Sequence, residues 1–149
     1  MTRIYLDTCC LNRPFDDQEQ DRIRLETEAL LTIVERLNLG EWTWVTSELV
    51  DLEIGRIADD ELRELVQLFA PSVGSTVAIG EAIRSRGRAI EALGFHAADA
   101  LHLACAEAGR ADVFLTTDDQ VLRRAARVLE RLHVRVVNPL RWIAEVLEP

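Results

Sequence analysis

Apolar positions along the chain fall into two alternating rhythms. Ile4 to Leu6 form a short apolar run ending at Asp7, the signature of a buried strand. From about residue 17 to residue 39, Ile23, Leu30, Leu31, Val34 and Leu37 recur at helical spacing, and Gly40 stops the pattern. Trp42 to Thr46 are aromatic and β-branched, which predicts a second strand. Thr46 or Ser47 then caps a helix with Val50, Ile54 and Ile57 on one face. A further helix is predicted over 59–69, ended by Pro71 and Gly74. Residues 77–93 read as helix as well, although Gly80 and Gly87 weaken the pattern. The remaining elements are a helix over 97–108, a strand over 113–117 ending at Asp118, a helix marked by Val121, Leu122, Ala125, Leu129 and Leu132, a strand over 134–137 and a helix over 140–147.

Strands that alternate with helices predict an α/β fold, here a single-domain α/β/α sandwich with a mostly parallel central sheet of four to five strands. A length of 149 residues fits one domain spanning 1–149, with no internal repeat or linker. Right-handed crossovers place the loops that follow the strands along one sheet edge, and that carboxyl edge is where such folds bind ligands. Asp7 and Asp118 both lie there.

Composition narrows the chemistry. Apolar content is 48%, enough for a sizeable core, yet no apolar run reaches the ~20 residues of a membrane span. The first residues meet an acid too early for a secretory signal, so the expected setting is the cytoplasm and no membrane partner. Adjacent Cys9 and Cys10, with Cys105, match neither a redox pair nor a zinc half-site. A net charge of −9 argues against nucleic-acid binding through a broad basic surface, but not against an acidic cleft filled by a metal and edged by arginines. Every one of the 17 basic residues is arginine. Without lysine there is no P-loop and no Schiff-base catalysis. Phosphatases of the haloacid-dehalogenase type and receiver domains, which also place acids at strand ends, need a lysine too.

Four acids stand where strands end or helices begin: Asp7, Glu53, Asp99 and Asp118. Singly, each has an ordinary explanation. Asp7 suits a turn, Glu53 a solvated helix face, and Asp99 and Asp118 helix N-termini. Taken in order, Asp7-Thr8, Ser47 to Glu53, Asp99-Ala100-Leu101-His102-Leu103-Ala104 and Thr116-Thr117-Asp118 resemble the motifs of the PIN-domain family of metal-dependent nucleases. The likeness spans essentially the whole chain. No single motif in it is strong, but the ordered set is. The Leu11 to Asp17 segment is similar to that of a PIN subgroup.

The resemblance implies a phosphodiesterase acting on RNA. Asp7, Asp99 and Asp118 would hold Mg2+ or Mn2+ directly or through water, and Glu53 would orient that water or accept a proton. Thr8 and Thr116 would lend hydroxyls, and His102 would pack or support rather than ligate. Asp119, beside Asp118, remains an alternative last ligand. Oxygen-only ligands select such hard cations. Arg13 and Arg56 are candidates for phosphate contacts, with surface ion pairs as the plainer reading. The arginines at 84, 86 and 88 and at 123, 124 and 127 read as solvated helix faces. PIN domains of this size resemble the toxin half of VapBC-type toxin–antitoxin pairs, which implies a cognate antitoxin and a homodimer. A solitary RNA-processing nuclease and a catalytically silent binding module are the alternatives.

Overall fold

Five short strands form one parallel sheet: β1 (Arg3–Leu6), β2 (Thr43–Ser47), β3 (Ser75–Val77), β4 (Val113–Leu115) and β5 (Arg135–Val137). The structure is a computed structural model that describes residues 1–147. The spatial order is β3-β2-β1-β4-β5. Helices α1 (Thr8–Asn12), α2 (Asp21–Asn38), α3 (Glu48–Gly55), α4 (Asp60–Phe69), α5 (Glu81–Glu91), α6 (Ala97–Ala108), α7 (Asp119–Arg127) and α8 (Pro139–Leu147) flank it.

The central strand explains the apolar run at the N-terminus. Ile4, Tyr5 and Leu6 are fully buried, so both faces of β1 are covered, as parallel sheets require. Tyr5 pairs in register with Val45 and Phe114, and its ring stacks on Phe114 at 5.3 Å between centroids. Leu30 and Ile33 of α2 and Leu103 and Cys105 of α6 complete the same core. Helix α6 packs against β2 and, more extensively, against α5. Gly87 faces Leu101 across this seam, where an added Cβ would make an ordinary van der Waals contact at 3.4 Å.

Chain winding defines the crevice. From β1 the chain moves outward through β2 to β3, then returns across the sheet to β4 and outward again to β5. The direction reverses between β1 and β4. At such a switch point the two following loops part and leave a gap beyond the strand ends. Pairing persists to the rim, where Asp7 N–H donates to Leu115 O at 3.0 Å.

Some boundaries differ from the sequence expectation. Residues 75–77 are an edge strand and not the approach to a helix; α5 begins at Glu81 with Gly80 as its N-cap. Pairing of Thr76 with Thr46 and of Val77 with Ser47 creates this strand, a tertiary contact that local periodicity does not register. Helix α2 starts at Asp21, after a turn in which Asp17 accepts from the backbone of Glu19 and Gln20. Helix α7 ends at Arg127, and a separate 3-10 turn covers Leu129–Arg131.

Candidate active site

The four acids come together. Asp7 stands between β1 and α1, Glu53 on α3, Asp99 in the first turn of α6 and Asp118 at the N-cap of α7. All four line one open cavity of about 290 Å3 at the carboxyl edge of the sheet, with Thr8, Cys9, Asn12 and His102 as the rest of its wall.

Three of the four carboxylates, Asp7, Asp118 and Glu53, are each held through one oxygen, and Asp99 has no hydrogen-bond partner among the described residues. Thr116 Oγ1 donates to Asp7 Oδ2 at 2.8 Å, and the Asp118 N–H in turn donates to that hydroxyl at 3.1 Å. Asp118 Oδ1 accepts from the backbone of Gln120 and Val121, at 2.8 and 3.4 Å, which is the capping role its position predicts. Glu53 Oε1 accepts from Thr8 Oγ1 and from His102 Nε2, both at 2.6 Å. Asp118 Oδ2 and Glu53 Oε2 carry no hydrogen bond among the described residues. Capping and chemistry therefore do not compete, because they fall on different oxygens.

Behind Glu53 runs a buried relay. His102 Nδ1 lies 2.7 Å from Tyr5 Oη, which lies 2.7 Å from Ser47 Oγ, and the Val50 N–H donates to that Oγ at 3.3 Å. Burial pulls the imidazole toward its neutral form. The bond to Glu53 and the charges of Asp7, Glu53 and Asp99 outweigh it and hold His102 above its ordinary pKa. With the ring protonated, Nε2 donates to Glu53, Nδ1 donates to Tyr5, and Tyr5 donates to Ser47. Burial also pushes Glu53 upward, but His102, then Thr8 and Arg56, hold it below the usual carboxylate range. Glu53 and His102 are thus an ion pair built into the cavity wall.

Asp7 and Asp99 carry the opposite signature. Burial raises Asp7, against the opposing effects of His102 and Thr116. Asp99 is pushed up to about 6 by burial and then by the charges of Asp7 and Asp118. Buried and crowded carboxylates of this kind favour a positive charge beside them.

The remaining predicted residues divide. Thr8 and Thr116 are buried and bonded to site carboxylates. Asp119 lies outside the cavity, where Arg22 grips both its oxygens at 2.7 and 2.8 Å. Arg13 is turned to Glu26 and Asp16, each at 3.2 Å, so the plainer ion-pair reading describes it. Arg56 is exposed next to Glu53 and unpaired among the described residues. Sequence reasoning did not single out Asn12 or Tyr5 for the site, and Ser47 figured only as a helix cap and as the first residue of the Ser47 to Glu53 motif. Asn12 offered only its place in the Leu11 to Asp17 segment, and Tyr5 the anomaly of a phenol within a fully buried strand.

Two observations bear on a divalent cation. The donors are oxygens, as Mg2+ and Mn2+ require. Asn12 Oδ1, on the same wall, is buried without a hydrogen-bond donor, an orphaned acceptor that a hydrated cation satisfies. Among the described residues no three Asp, Glu, His or Cys side chains close directly around one point. A cation in this cavity would therefore have to be held partly through its waters, as Mg2+ commonly is.

The PIN-domain family profile matches residues 4–128, a span that contains all four acids, and the chain belongs to this family. The crystal structure of FitAcB from Neisseria gonorrhoeae is similar at 17% identity, with a TM-score of 0.54 over 91% of this chain and 97% of the other. VapBC2 from Rickettsia felis, solved bound to a DNA fragment from their promoter, is similar at 14% identity, with a TM-score of 0.60 over 92% of this chain and 98% of the other. At such identities the likeness is one of fold. No curated protein matches the chain.

Proposed function

We propose that this protein is a divalent-metal-dependent endoribonuclease, the toxin component of a VapBC-type pair acting in the cytoplasm. One observation carries the enzymatic part: four acids from four separate elements meet in one cavity at the switch point of the sheet. Membership of the PIN family and fold likeness to VapBC2 support the toxin setting. A cognate antitoxin and a second copy of this chain are the partners that setting implies.

Asp7, Asp99 and Asp118 would hold Mg2+ or Mn2+, partly through water, with Asn12 Oδ1 accepting from that water. When bound, the cation supplies charge neutralisation at the phosphate and a more acidic water. The protein's own residues do the rest. Thr116 fixes the rotamer of Asp7. His102 and Thr8 pin Oε1 of Glu53, leaving Oε2 to take a proton from the attacking water. The water oxygen bonds to phosphorus as the bond to the 3′ oxygen breaks. The products are a 5′-phosphate and, after proton uptake, a 3′-hydroxyl. Arg56, exposed and near Glu53, would contact a phosphate.

The test is cleavage of an end-labelled RNA pool with Mg2+, Mn2+ or EDTA. Cleavage should require the metal and fall at least about a hundredfold in Asp7→Asn and Asp99→Asn, the range for removing one electrostatic stabiliser. Equal cleavage by the variants would reject this site, and a wild type inert on every RNA would reject the nuclease reading. Growth arrest on expression, absent with Asp7→Asn, tests the toxin role.

A further inference from the structure

Next to the acidic cavity lies a second one of opposite character. Gly94, His96 and the α7 residues Arg123, Arg124 and Arg127 wall a space of about 280 Å3, and Asp99 borders both cavities. Among the described residues, nine of the 17 arginines of this acid-rich chain pair with a carboxylate. Among the described residues the three on α7 pair with none. Arg123 and Arg127 stand one helical turn apart, a like-charge spacing that costs helix stability. Three guanidinium groups without an ion-pair partner, against the single carboxylate of Asp99 on the same wall, give the hollow a net positive charge.

Placement of Arg124 is specific. Gly94 has φ of +110°, and a Cβ there would come within 2.9 Å of Nε and Cζ of Arg124. The bare glycine lets the half-buried guanidinium lie against the 94–96 turn. The hollow sits just below the ~300–1,000 Å3 of pockets for drug-sized ligands, which suits a phosphate with its sugar better than a larger organic molecule.

We propose that this arginine cavity is a substrate subsite that binds a backbone phosphate of the RNA strand neighbouring the phosphodiester held over Asp7 and Asp99. Planar forks match phosphate oxygens, and contacts to the backbone position a strand without reading its sequence. The subsite also answers how a chain of net charge −9 holds a polyanion: it concentrates free positive charge beside the catalytic cavity. The assignment rests on the nuclease reading above.

The experiment measures fluorescence anisotropy of a labelled mixed-sequence 12-nucleotide RNA in EDTA, across a salt series, and then cleavage of the same RNA in Mn2+. Arg124→Gln/Arg127→Gln is compared with Arg124→Lys/Arg127→Lys and with Arg84→Gln, an exposed arginine far along the chain from α7. Circular dichroism confirms that each variant is folded. The glutamine pair should weaken binding about tenfold or more, make the plot of log affinity against log salt shallower by about 1 to 2, and raise KM more than it lowers kcat. The lysine pair should keep the salt slope and recover only part of the affinity, and Arg84→Gln should match wild type. A glutamine pair that binds and cleaves as wild type does overturns the subsite while leaving the nuclease reading intact. A wild type that neither binds nor cleaves RNA overturns both. Loss of binding to poly-glutamate with RNA affinity unchanged assigns the cavity to an acidic protein segment, which also overturns the proposal.

Discussion

Asp99 shows what one residue gives up to hold its place. Its folded carboxyl titrates near 6 against an ordinary 3.8, because burial and the charges of Asp7 and Asp118 oppose its ionisation. At pH 7.5 it is ionised in both the folded and the unfolded chain, so the fold bears the full penalty. As pH falls through 6 the folded carboxyl takes up a proton first, and the penalty fades until both states are protonated below 3.8. Asp99→Asn should therefore stabilise the metal-free protein at pH 7.5 by about 1–2 kcal/mol, a figure discounted for half exposure. The gain should shrink toward pH 5. Urea melts at both pH values check it, and a gain that does not change with pH would contradict the crowding argument. Tyr5 makes the complementary case. Its hydroxyl does not line the cavity but joins Ser47 to His102, which does. Tyr5→Phe leaves two buried polar groups short of a partner and should cost about 1–3 kcal/mol. If it also frees the imidazole to turn, kcat for RNA falls with little change in KM; unchanged kcat would limit Tyr5 to a structural role. Asp7, Asp99 and Asp118 were legible because they end or begin elements, whereas Glu53 lies inside α3 and was legible only through its spacing from Ser47. This relay was not, because the serine, the tyrosine and the histidine meet only when β2, β1 and α6 pack.

At the scale of elements, local signals located most helices and failed where pairing alone makes the structure. Ser47 was one of two caps the sequence offered for α3, and its Oγ does accept from the Val50 N–H. Asp59, where the predicted helix over 59–69 begins, likewise caps α4. Strand β3 has three residues, two of them exposed, and exists through its register with β2. Nothing in Ser75-Thr76-Val77 distinguishes it from a loop until β2 is beside it. The short helix α1 was hidden for another reason: Thr8–Asn12 is too brief to show a period, yet it carries Thr8, Cys9 and Asn12 into the cavity wall. Close approach of elements also leaves a mark that is only visible in three dimensions. A Cβ on Gly109, at the C-terminus of α6, would overlap Val45 of β2 and lie 3.0 Å from Val77 of β3. Gly109→Ala should therefore destabilise the protein by about 1–3 kcal/mol through overpacking. Because α6 also presents Asp99 and His102, cleavage should fall with it. A urea midpoint equal to that of wild type would show that the α6–β2 seam yields easily.

The whole molecule is organised by a separation of charge about one topological feature. The reversal of winding between β1 and β4 gathers negative charge above the strand ends, and α7, entered directly from β4 through Asp118, carries positive charge beside it. Hydrophobic rhythm foretold the sheet and its functional edge, and with them the meeting of Asp7 and Asp118. It could not foretell which arginines would find carboxylates, since pairing depends on which helices become neighbours. If the proposed metal site binds its ion, a cation stabilises the entire fold, because binding to the native state alone raises its stability by mass action. Mn2+ at a hundred times its Kd adds about 2.7 kcal/mol. A domain of this size gains roughly 2–4 °C per kcal/mol, so Tm at pH 7.5 should rise by about 5–10 °C. Asp118→Asn should lose most of that rise. Asp119→Asn should keep it, because Asp119 is bound to Arg22 outside the cavity. At pH 5 the cation must displace a proton from Asp99, so affinity drops about tenfold and the same Mn2+ concentration gives about half the stabilisation. Scanning calorimetry of the three proteins with Mn2+ and with EDTA at both pH values decides the matter. A rise abolished by Asp119→Asn and untouched by Asp118→Asn would move the cation to the Arg22 side of α7, and a rise independent of pH would remove Asp99 from its coordination.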